Sequence, residues 1–225
     1  MKFIPGSLLV ALLVSTCAAQ AGVIVGGTRL IYDGARKESS LSVSNPDKQP
    51  FLIQSWVEME NGGAEKAPFI VTPPLFRLDG AQNNVLRVVR AGGNLPTDKE
   101  SLYWMNIKAI PSADVAANAN TLQIAVKTRI KLIYRPQGLK GVPEEMVDKL
   151  SWRRSGNTLQ VTNPTPFYMN FMEVKVAGKK VPDVTYVAPG STASFALPVS
   201  ANSGGVTWTI ISDYGAVGPE HKSSL

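Results

Sequence analysis

The chain has 225 residues, of which 44% are hydrophobic and 18% are charged, so it can form one large or two ordinary domains. Its 23 Lys and Arg residues outnumber 17 Asp and Glu residues, and the net charge of +6 is compatible with an anionic partner. A single cysteine and a single histidine exclude a disulfide framework and argue against a Cys–His pair or a His-based zinc site.

The first 21 residues have the pattern of a secretory signal peptide. Lys2 supplies a positive charge, residues 8–14 form an apolar run too short to span a bilayer, and residues 19–21 (AQA) fit the small-x-small rule for signal peptidase. We therefore expect cleavage near Ala21, which removes Cys17 and leaves a net charge of about +5. No later apolar run is long enough for a membrane helix, so we expect a secreted protein without membrane insertion. The lack of cysteine after Ala21 favours a periplasm-like space, in which a nucleic-acid partner is not expected.

Short apolar runs separated by Gly, Pro, Asn and Asp follow along the rest of the chain. In order, they are residues 28–34, 39–46, 50–58, 83–90, 101–111, 122–136, 158–166, 167–176, 192–199 and 205–215. Their spacing is typical of an all-β sandwich. Residues 135–143 (RPQGLKGVP) interrupt the pattern with two prolines and two glycines, as an interdomain elbow would. After the signal peptide, at 1–21, we predict two β-sandwich domains, residues 22–136 and 142–225, joined by an elbow at 137–141.

Three local features complete the structural prediction. Residues 142–150 (VPEEMVDKL) are the best helix candidate, with Pro143 at a plausible first turn. Trp56 is expected in the core of the first sandwich. Residues 217–225, which include His221, are expected to be a frayed tail.

Catalytic motifs are sparse in this sequence. His221 lies in the expected tail, so a Ser-His-Asp triad cannot be built on a rigid element. The Gly-Gly pairs at 26–27 and 62–63 do not belong to phosphate-binding loops. The placement of the 17 carboxylates does not indicate a catalytic pair. We therefore expect a protein that is not an enzyme and that carries no metal and no cofactor.

The longest strand pattern, at 122–136 (LQIAVKTRIKLIYRP), combines apolar and basic residues. Leu122, Ile124 and Val126 share one face by their period-2 spacing. From the pattern alone they are ordinary core residues, and Arg29 and Lys131 are solvated strand charges. Lys131 has the opposite parity to the three apolar residues, and the sequence alone does not explain this offset.

Six stretches together resemble the PapD-like periplasmic chaperones of the chaperone–usher pathway, which assemble pili and fimbriae. The stretches are TRLIYDG (28–34), VTPPLFRL (71–78), LPTDKESLYWMNIKAIP (95–111), LQIAVKTRIKLIYRP (122–136), VTNPTPFYMNF (161–171) and ISDYG (211–215). They span nearly the whole chain after the signal peptide. The resemblance implies an all-β fold of two immunoglobulin-like β-sandwich domains in a boomerang arrangement.

The resemblance also implies a binding site and its partners. Leu122, Ile124 and Val126 would be donor-strand residues of a strand, called G1 in this family, that fills a groove in a pilus subunit. Arg29 and Lys131 would hold the subunit's C-terminal carboxylate. The partners would be pilin or fimbrial subunits and an outer-membrane usher, and self-association of the free protein is left open.

A third implied feature is an interdomain salt-bridge network of Glu100, Arg135 and Asp213, which would set the angle of the cleft. The short segment between Ile110 and Leu122 resembles the subclass with a short loop before G1, which serves rod-type pili. The alternative, from another class, is a secreted carbohydrate-binding or adhesive β-sandwich module. Such a module should carry exposed aromatic residues on loops or a metal-ligating Asp/Asn cluster, whereas the aromatic residues here lie mostly inside strand patterns.

Overall fold

The structure, a computed structural model, describes residues 22–112, 123–198 and 204–225. The helical segments of this part of the chain are two single-turn 3-10 helices, Pro143–Glu145 and Val147–Lys149. The predicted helix over residues 142–150 was therefore wrong. Met146 interrupts it with a non-helical backbone, and the burial of Val147 in the adjacent core positions the segment instead. No helix within the described ranges is long and apolar enough to cross a membrane.

The described residues before 136 form a sandwich of two sheets. One sheet has the strand order β1-β3-β7-β5, and the other has the order β2-β9-β8-β4-β6. Neighbouring strands are antiparallel except β2 and β9, which run parallel. The bounds are β1 Ile24–Val25, β2 Arg29–Asp33, β3 Glu38–Ser44, β4 Phe51–Met59, β5 Phe69–Thr72, β6 Leu75–Leu78, β7 Asn83–Arg90, β8 Ser101–Pro111 and β9 Val126–Arg135.

The described residues after 142 form a second sandwich. Its sheets have the orders β10-β11-β15 and β13-β12-β16-β17, and β14 also pairs with β12. The bounds are β10 Ser151–Ser155, β11 Thr158–Asn163, β12 Met169–Val176, β13 Lys179–Lys180, β14 Tyr186–Val187, β15 Ser191–Ala196, β16 Val206–Ile210 and β17 His221–Ser223. Each sandwich has its own apolar core. A smaller cluster of Leu102, Ile133 and Tyr168 lies between the two domains.

The two faces of β9 point to different environments. Ile130, Leu132 and Tyr134 are buried in the N-terminal core. Lys131 and Ile133 point the other way, toward the C-terminal domain. Because successive strand residues alternate between faces, Val126 shares the core-facing side and Lys131 does not. This explains the parity offset that the sequence left open.

Trp56 lies on the outer face of β4 rather than in the core. Its neighbours Ser55 and Val57 face inward, and Ser55 is buried. The indole Nε1 of Trp56 donates a hydrogen bond to Glu58 Oε1 at 2.8 Å, and Lys127 Nζ lies 5.8 Å from the ring centroid. The core assignment was wrong because period-2 alternation does not reveal which of the two sets of side chains faces inward.

The C-terminal segment is also different from the prediction, because it forms β17 rather than a frayed tail. β17 pairs antiparallel with β16, with Val206 opposite Ser223 and Trp208 opposite His221. The His221 ring stacks on Trp208 at a centroid distance of 5.8 Å, and its Nδ1 lies 2.9 Å from Asp148 Oδ1. Pairing satisfies the backbone groups of β16 that would otherwise form a free edge.

Candidate functional site

The candidate site is an open strand edge in the N-terminal sandwich. β2 pairs with β9 only from Arg29, opposite Lys131, onward. Before Arg29 the chain crosses to the other sheet, where β1 pairs with β3. The crossing is tight at Gly26, because a Cβ there would lie 3.2 Å from both the Cβ and the backbone oxygen of Ser42.

This crossing leaves the first half of β9 paired on one side only. β8 pairs with it on that side, with Ala109 opposite Val126. On the other side, no strand within the described residues pairs with β9 before Lys131. We call this open position the slot: it runs along residues 126–130 of β9 and ends at Arg29.

Two apolar side chains are exposed at the start of the slot and just before it. Val126 is 57% exposed, and Ile124, which lies just before β9, is 66% exposed. Val126 also lines an apolar cavity of about 200 Å³ between the edges of the two sheets, together with Val25 and Phe51. The third predicted donor-strand residue, Leu122, lies outside the described residues, as does most of the segment that was assigned to the short-loop subclass.

Two cations close the slot. Arg29 and Lys131 are directly opposite each other on β2 and β9, and both are half-buried. Arg29 Nη1 donates a hydrogen bond to Ile211 O at 3.2 Å, but Arg29 Nε is buried and has no hydrogen-bond partner in the described part of the chain. Lys131 Nζ donates to Asn170 Oδ1 and lies 4.6 Å from the centroid of the Tyr186 ring.

The electrostatics of this pair favour an anion. Burial lowers the pKa of Lys131 to about 8, and the positive charge of Arg29 adds to that effect, while Glu60 opposes it. Burial also lowers the pKa of Arg29. Neither side chain forms an ion pair with a carboxylate in the described ranges. An external carboxylate would therefore relieve the repulsion between the two cations and satisfy the free Arg29 Nε.

The structure brings Glu100, Arg135 and Asp213 together between the domains. Arg135 Nε donates to Glu100 Oε1 at 2.7 Å, while Nη1 and Nη2 donate to the two oxygens of Asp213 at 2.7 and 3.0 Å. Glu100 is only 3% exposed, and its other oxygen accepts the backbone N–H of Tyr168 at 2.7 Å. Burial raises the pKa of Glu100, and the charge of Arg135 counteracts this. The arrangement links the last residue of β9 to the C-terminal domain.

Sequence reasoning missed a second polar contact between the domains. Glu60, which follows β4, accepts hydrogen bonds from Tyr186 Oη at 2.7 Å and from Tyr168 Oη at 3.1 Å. Tyr168 lies in one of the stretches that carry the family resemblance, but no local pattern connects it with Glu60. The two positions are far apart in the chain, and only the packing of the domains brings them together.

Sequence reasoning also missed a row of cation–aromatic contacts on the outer face of β9. Arg129 lies over Trp104, 4.5 Å from the ring centroid, and forms an ion pair with Glu58 at 3.4 Å. Lys127 lies near Trp56, as described above. Within residues 22–112, 123–198 and 204–225, no group of three or more His, Cys, Asp or Glu side chains is arranged to hold a metal ion.

Comparison with known proteins identifies the class of protein. A family model described as "Pili and flagellar-assembly chaperone, PapD N-terminal domain" matches residues 22–140, and one described as "Pili assembly chaperone PapD, C-terminal domain" matches residues 145–222. The chain belongs to this family of pilus-assembly chaperones. The predictions of the family and of the all-β, two-domain immunoglobulin-like fold are confirmed. Membership of a chaperone family also agrees with the prediction that the protein is not an enzyme.

Individual relatives support this assignment over most of the chain. The probable fimbrial chaperone LpfB of Escherichia coli O157:H7 is 44% identical over 218 residues, which cover 96% of this chain and 93% of LpfB. The chaperone protein FimC of E. coli K12 is 46% identical over 205 residues, covering 90% of this chain and 84% of FimC. Among solved structures, a chain of the complex between the Salmonella enterica SafA pilin and the SafB chaperone matches with a TM-score of 0.86 and 40% identity, covering 92% and 97% of the two chains.

Proposed function

We propose that this protein is a periplasmic chaperone that binds pilus or fimbrial subunits by donor-strand complementation and delivers them to an outer-membrane usher. The family and the similarity to a chaperone that is solved with its pilin support the choice of partner. The observation that carries the mechanism is the slot, an open strand edge with exposed apolar side chains that ends at two cations. An edge of this kind accepts an added strand.

The two cations at the end of the slot favour one direction for the added strand. A strand added beside residues 126–130 of β9 would lie in line with β2, which pairs with the later residues of β9. One end of the added strand would therefore meet Arg29. If that end is the C-terminus of the subunit, its carboxylate reaches Arg29 and Lys131. The subunit strand would then run parallel to β9.

The apolar side chains and the two cations have different energetic roles in this proposal. Ile124 and Val126, with Leu122, would fill apolar pockets of the subunit, and fully burying a branched side chain contributes roughly 1.5–3 kcal/mol. The carboxylate anchor adds charge-assisted hydrogen bonds in a half-buried site. It also specifies the register, since a slip of one residue would turn every side chain of the subunit strand to the opposite face.

The network of Glu100, Arg135 and Asp213 would keep the two domains at the angle that the cleft requires. Its geometry supports this role, because the bidentate Arg135–Asp213 contact and the Arg135–Glu100 contact draw on both domains. Removing one member would leave a buried charge without its partner, which is costly.

The test is co-purification from periplasmic extracts with the pilin encoded nearby. We expect a 1:1 complex for the wild type and for Arg153→Ala, a matched control because Arg153 is exposed on β10 in the other domain. We expect Arg29→Ala and Lys131→Ala to lose the complex while circular dichroism shows that both remain folded.

Two other outcomes would contradict the proposal. Undiminished binding by both anchor variants would mean that the slot does not end on the subunit's carboxylate. Failure of the wild type to capture any pilin would favour the alternative of an adhesive or carbohydrate-binding sandwich module.

A further inference from the structure

Glu60 joins the two domains at a place separate from the Arg135 network. Its side chain accepts hydrogen bonds from two tyrosines of the C-terminal domain, Tyr168 and Tyr186. Its backbone carbonyl accepts the indole N–H of Trp104 at 3.0 Å, which holds Glu60 against the sheet that contains β9. A residue whose carboxylate is held by two donors and whose backbone carbonyl is held by a third has little freedom to move.

One of these two tyrosines, Tyr186, also contacts Lys131. Tyr186 and Asn170 are opposite each other on β14 and β12, and both contact the Lys131 ammonium, one through its ring and the other through its amide oxygen. The hydroxyl of Tyr186 is bonded to Glu60. The position of the Tyr186 ring against Lys131 is therefore tied to the position of the Glu60 carboxylate.

Glu60 also affects the charge of Lys131. The elements around Lys131 present Arg29 from β2, Glu60 after β4, and Tyr186 from β14. Arg29 disfavours the protonated lysine, and Glu60 favours it. Burial, with the Glu60 charge as a further cause, raises the pKa of Tyr186, so that this residue stays a neutral donor at physiological pH.

We propose that Glu60 is a positioning residue for the carboxylate anchor: through its hydrogen bond with Tyr186, it holds the Lys131 ammonium at the end of the slot. This inference rests on the anchoring role assigned to Lys131 in the proposed function. It adds that the C-terminal domain takes part in the anchor, because Tyr186 and Asn170 of that domain contact Lys131 and Glu60 holds Tyr186 in position.

The first experiment measures the pKa of Lys131 in the free protein and needs no binding partner. The variants are Glu60→Gln, which keeps the shape but removes the charge, and Tyr186→Phe, which keeps the ring but removes the bond to Glu60. Glu58→Gln is the matched control, because Glu58 lies two residues earlier and pairs with Arg129 rather than Lys131. The pKa of Lys131 is measured by NMR with ¹³C-labelled lysine. We expect Glu60→Gln to lower this pKa by about 0.5 to 1, and Glu58→Gln to leave it unchanged.

The second arm measures binding of a synthetic peptide with the last residues of the pilin, with a free C-terminal carboxylate or with an amide in its place. For the wild type we expect the free peptide to bind at least about tenfold more tightly. In Glu60→Gln and Tyr186→Phe this preference should fall by about threefold to fivefold, and in Glu58→Gln it should be retained. A contact that only stabilises the fold would alter the unfolding transition and leave the preference unchanged.

The outcomes separate this inference from the proposed function. If amidation does not affect binding to the wild type, the carboxylate anchor is wrong, and the binding part of this inference is wrong with it. If amidation weakens binding to the wild type, but Glu60→Gln retains both the wild-type preference and the wild-type pKa of Lys131, the anchor stands and the role of Glu60 is overturned.

Discussion

One strand edge of the C-terminal sandwich is covered, whereas one strand edge of the N-terminal sandwich is open. In the C-terminal domain, β17 covers the edge of β16, and Val206 and Trp208 on β16 are buried. In the N-terminal domain, β2 stops at Arg29, and Val126 on the uncovered part of β9 is 57% exposed. The fold can close an edge with three residues at its C-terminus, so the open edge of β9 is a specific feature rather than a general weakness of the fold.

An exposed strand edge is normally an aggregation hazard, and β9 carries features that limit it. Lys127 and Arg129 alternate with the exposed apolar positions and point to the opposite face. Their charges oppose pairing with a second copy of the same edge, because identical cations would be brought close together. The edge therefore combines exposed apolar positions on one face with cations on the other, and it ends beside Arg29 and Lys131.

The largest expected effect comes from opening the closed edge. Removal of residues 219–225 deletes β17 and takes His221 away from Trp208. We expect the free energy of unfolding of the C-terminal domain to fall by about 2–4 kcal/mol, because backbone bonds and a ring contact are lost together. The truncated protein should also self-associate, since β16 lacks the charges that accompany β9.

Urea denaturation followed by tryptophan fluorescence measures the first effect, and size-exclusion chromatography measures the second. A truncated protein with wild-type stability that remains monomeric would show that β17 does not protect this edge. The edge of β16 would then depend on a covering strand no more than the edge of β9 does.

A matched pair of substitutions tests the same contrast within the intact chain. Val206→Ala on β16 should lower the free energy of unfolding by about 1–3 kcal/mol, because Val206 is fully buried. Val126→Ala on β9 should change it by less than about 0.5 kcal/mol, since much of that side chain is exposed. Binding of the pilin should show the reverse order, with Val126→Ala weakened severalfold and Val206→Ala close to wild type at temperatures where it is folded. Equal effects on stability would mean that the first half of β9 is part of the ordinary core.

Much of the fold could be predicted from local patterns. β8 was predicted at residues 101–111 and is observed at Ser101–Pro111, while β9 was predicted at 122–136 and is observed at Val126–Arg135. Alternation and turn residues are local signals, so they can be recognised in the sequence. The tail prediction failed because the pairing of β17 with β16 is a contact between separate segments. The Trp56 prediction failed because alternation does not reveal which face of β4 points inward.

The site residues were predicted less directly. Arg29 and Lys131 have no local pattern that distinguishes them from solvated charges, and only the family resemblance singled them out. The structure gives a physical reason to consider the two residues as an anion site. It places them opposite each other, half-buried and without a carboxylate partner in the described part of the chain. Glu60 was missed by both routes, because its partners are tyrosines that the second domain brings to it.

The smallest expected effect concerns the stability cost of keeping Lys131 at the end of the slot. The pKa of Lys131 in the folded protein is about 8, below its ordinary value of 10.5, so folding disfavours the charged form. Below pH 8 the lysine is protonated in both the folded and the unfolded protein, and the full cost is present. Between pH 8 and 10.5 the unfolded protein binds more protons, so this contribution to the free energy of unfolding rises with pH.

Lys131→Met should therefore stabilise the free protein by about 1–2 kcal/mol at pH 7, while it abolishes capture of the pilin. Urea denaturation of the wild type and the variant at pH 7 and pH 10 measures the effect, and the difference between the two proteins cancels the titration of other groups. The advantage of the variant should shrink at pH 10, because the wild-type lysine is then neutral in the folded state. A variant that is less stable than the wild type at pH 7 would mean that the contacts of Lys131 with Asn170 and Tyr186 outweigh its burial. The closed end of the slot would then be stabilised in the free protein, as β17 stabilises the edge of β16, and the two edges would differ less than we infer.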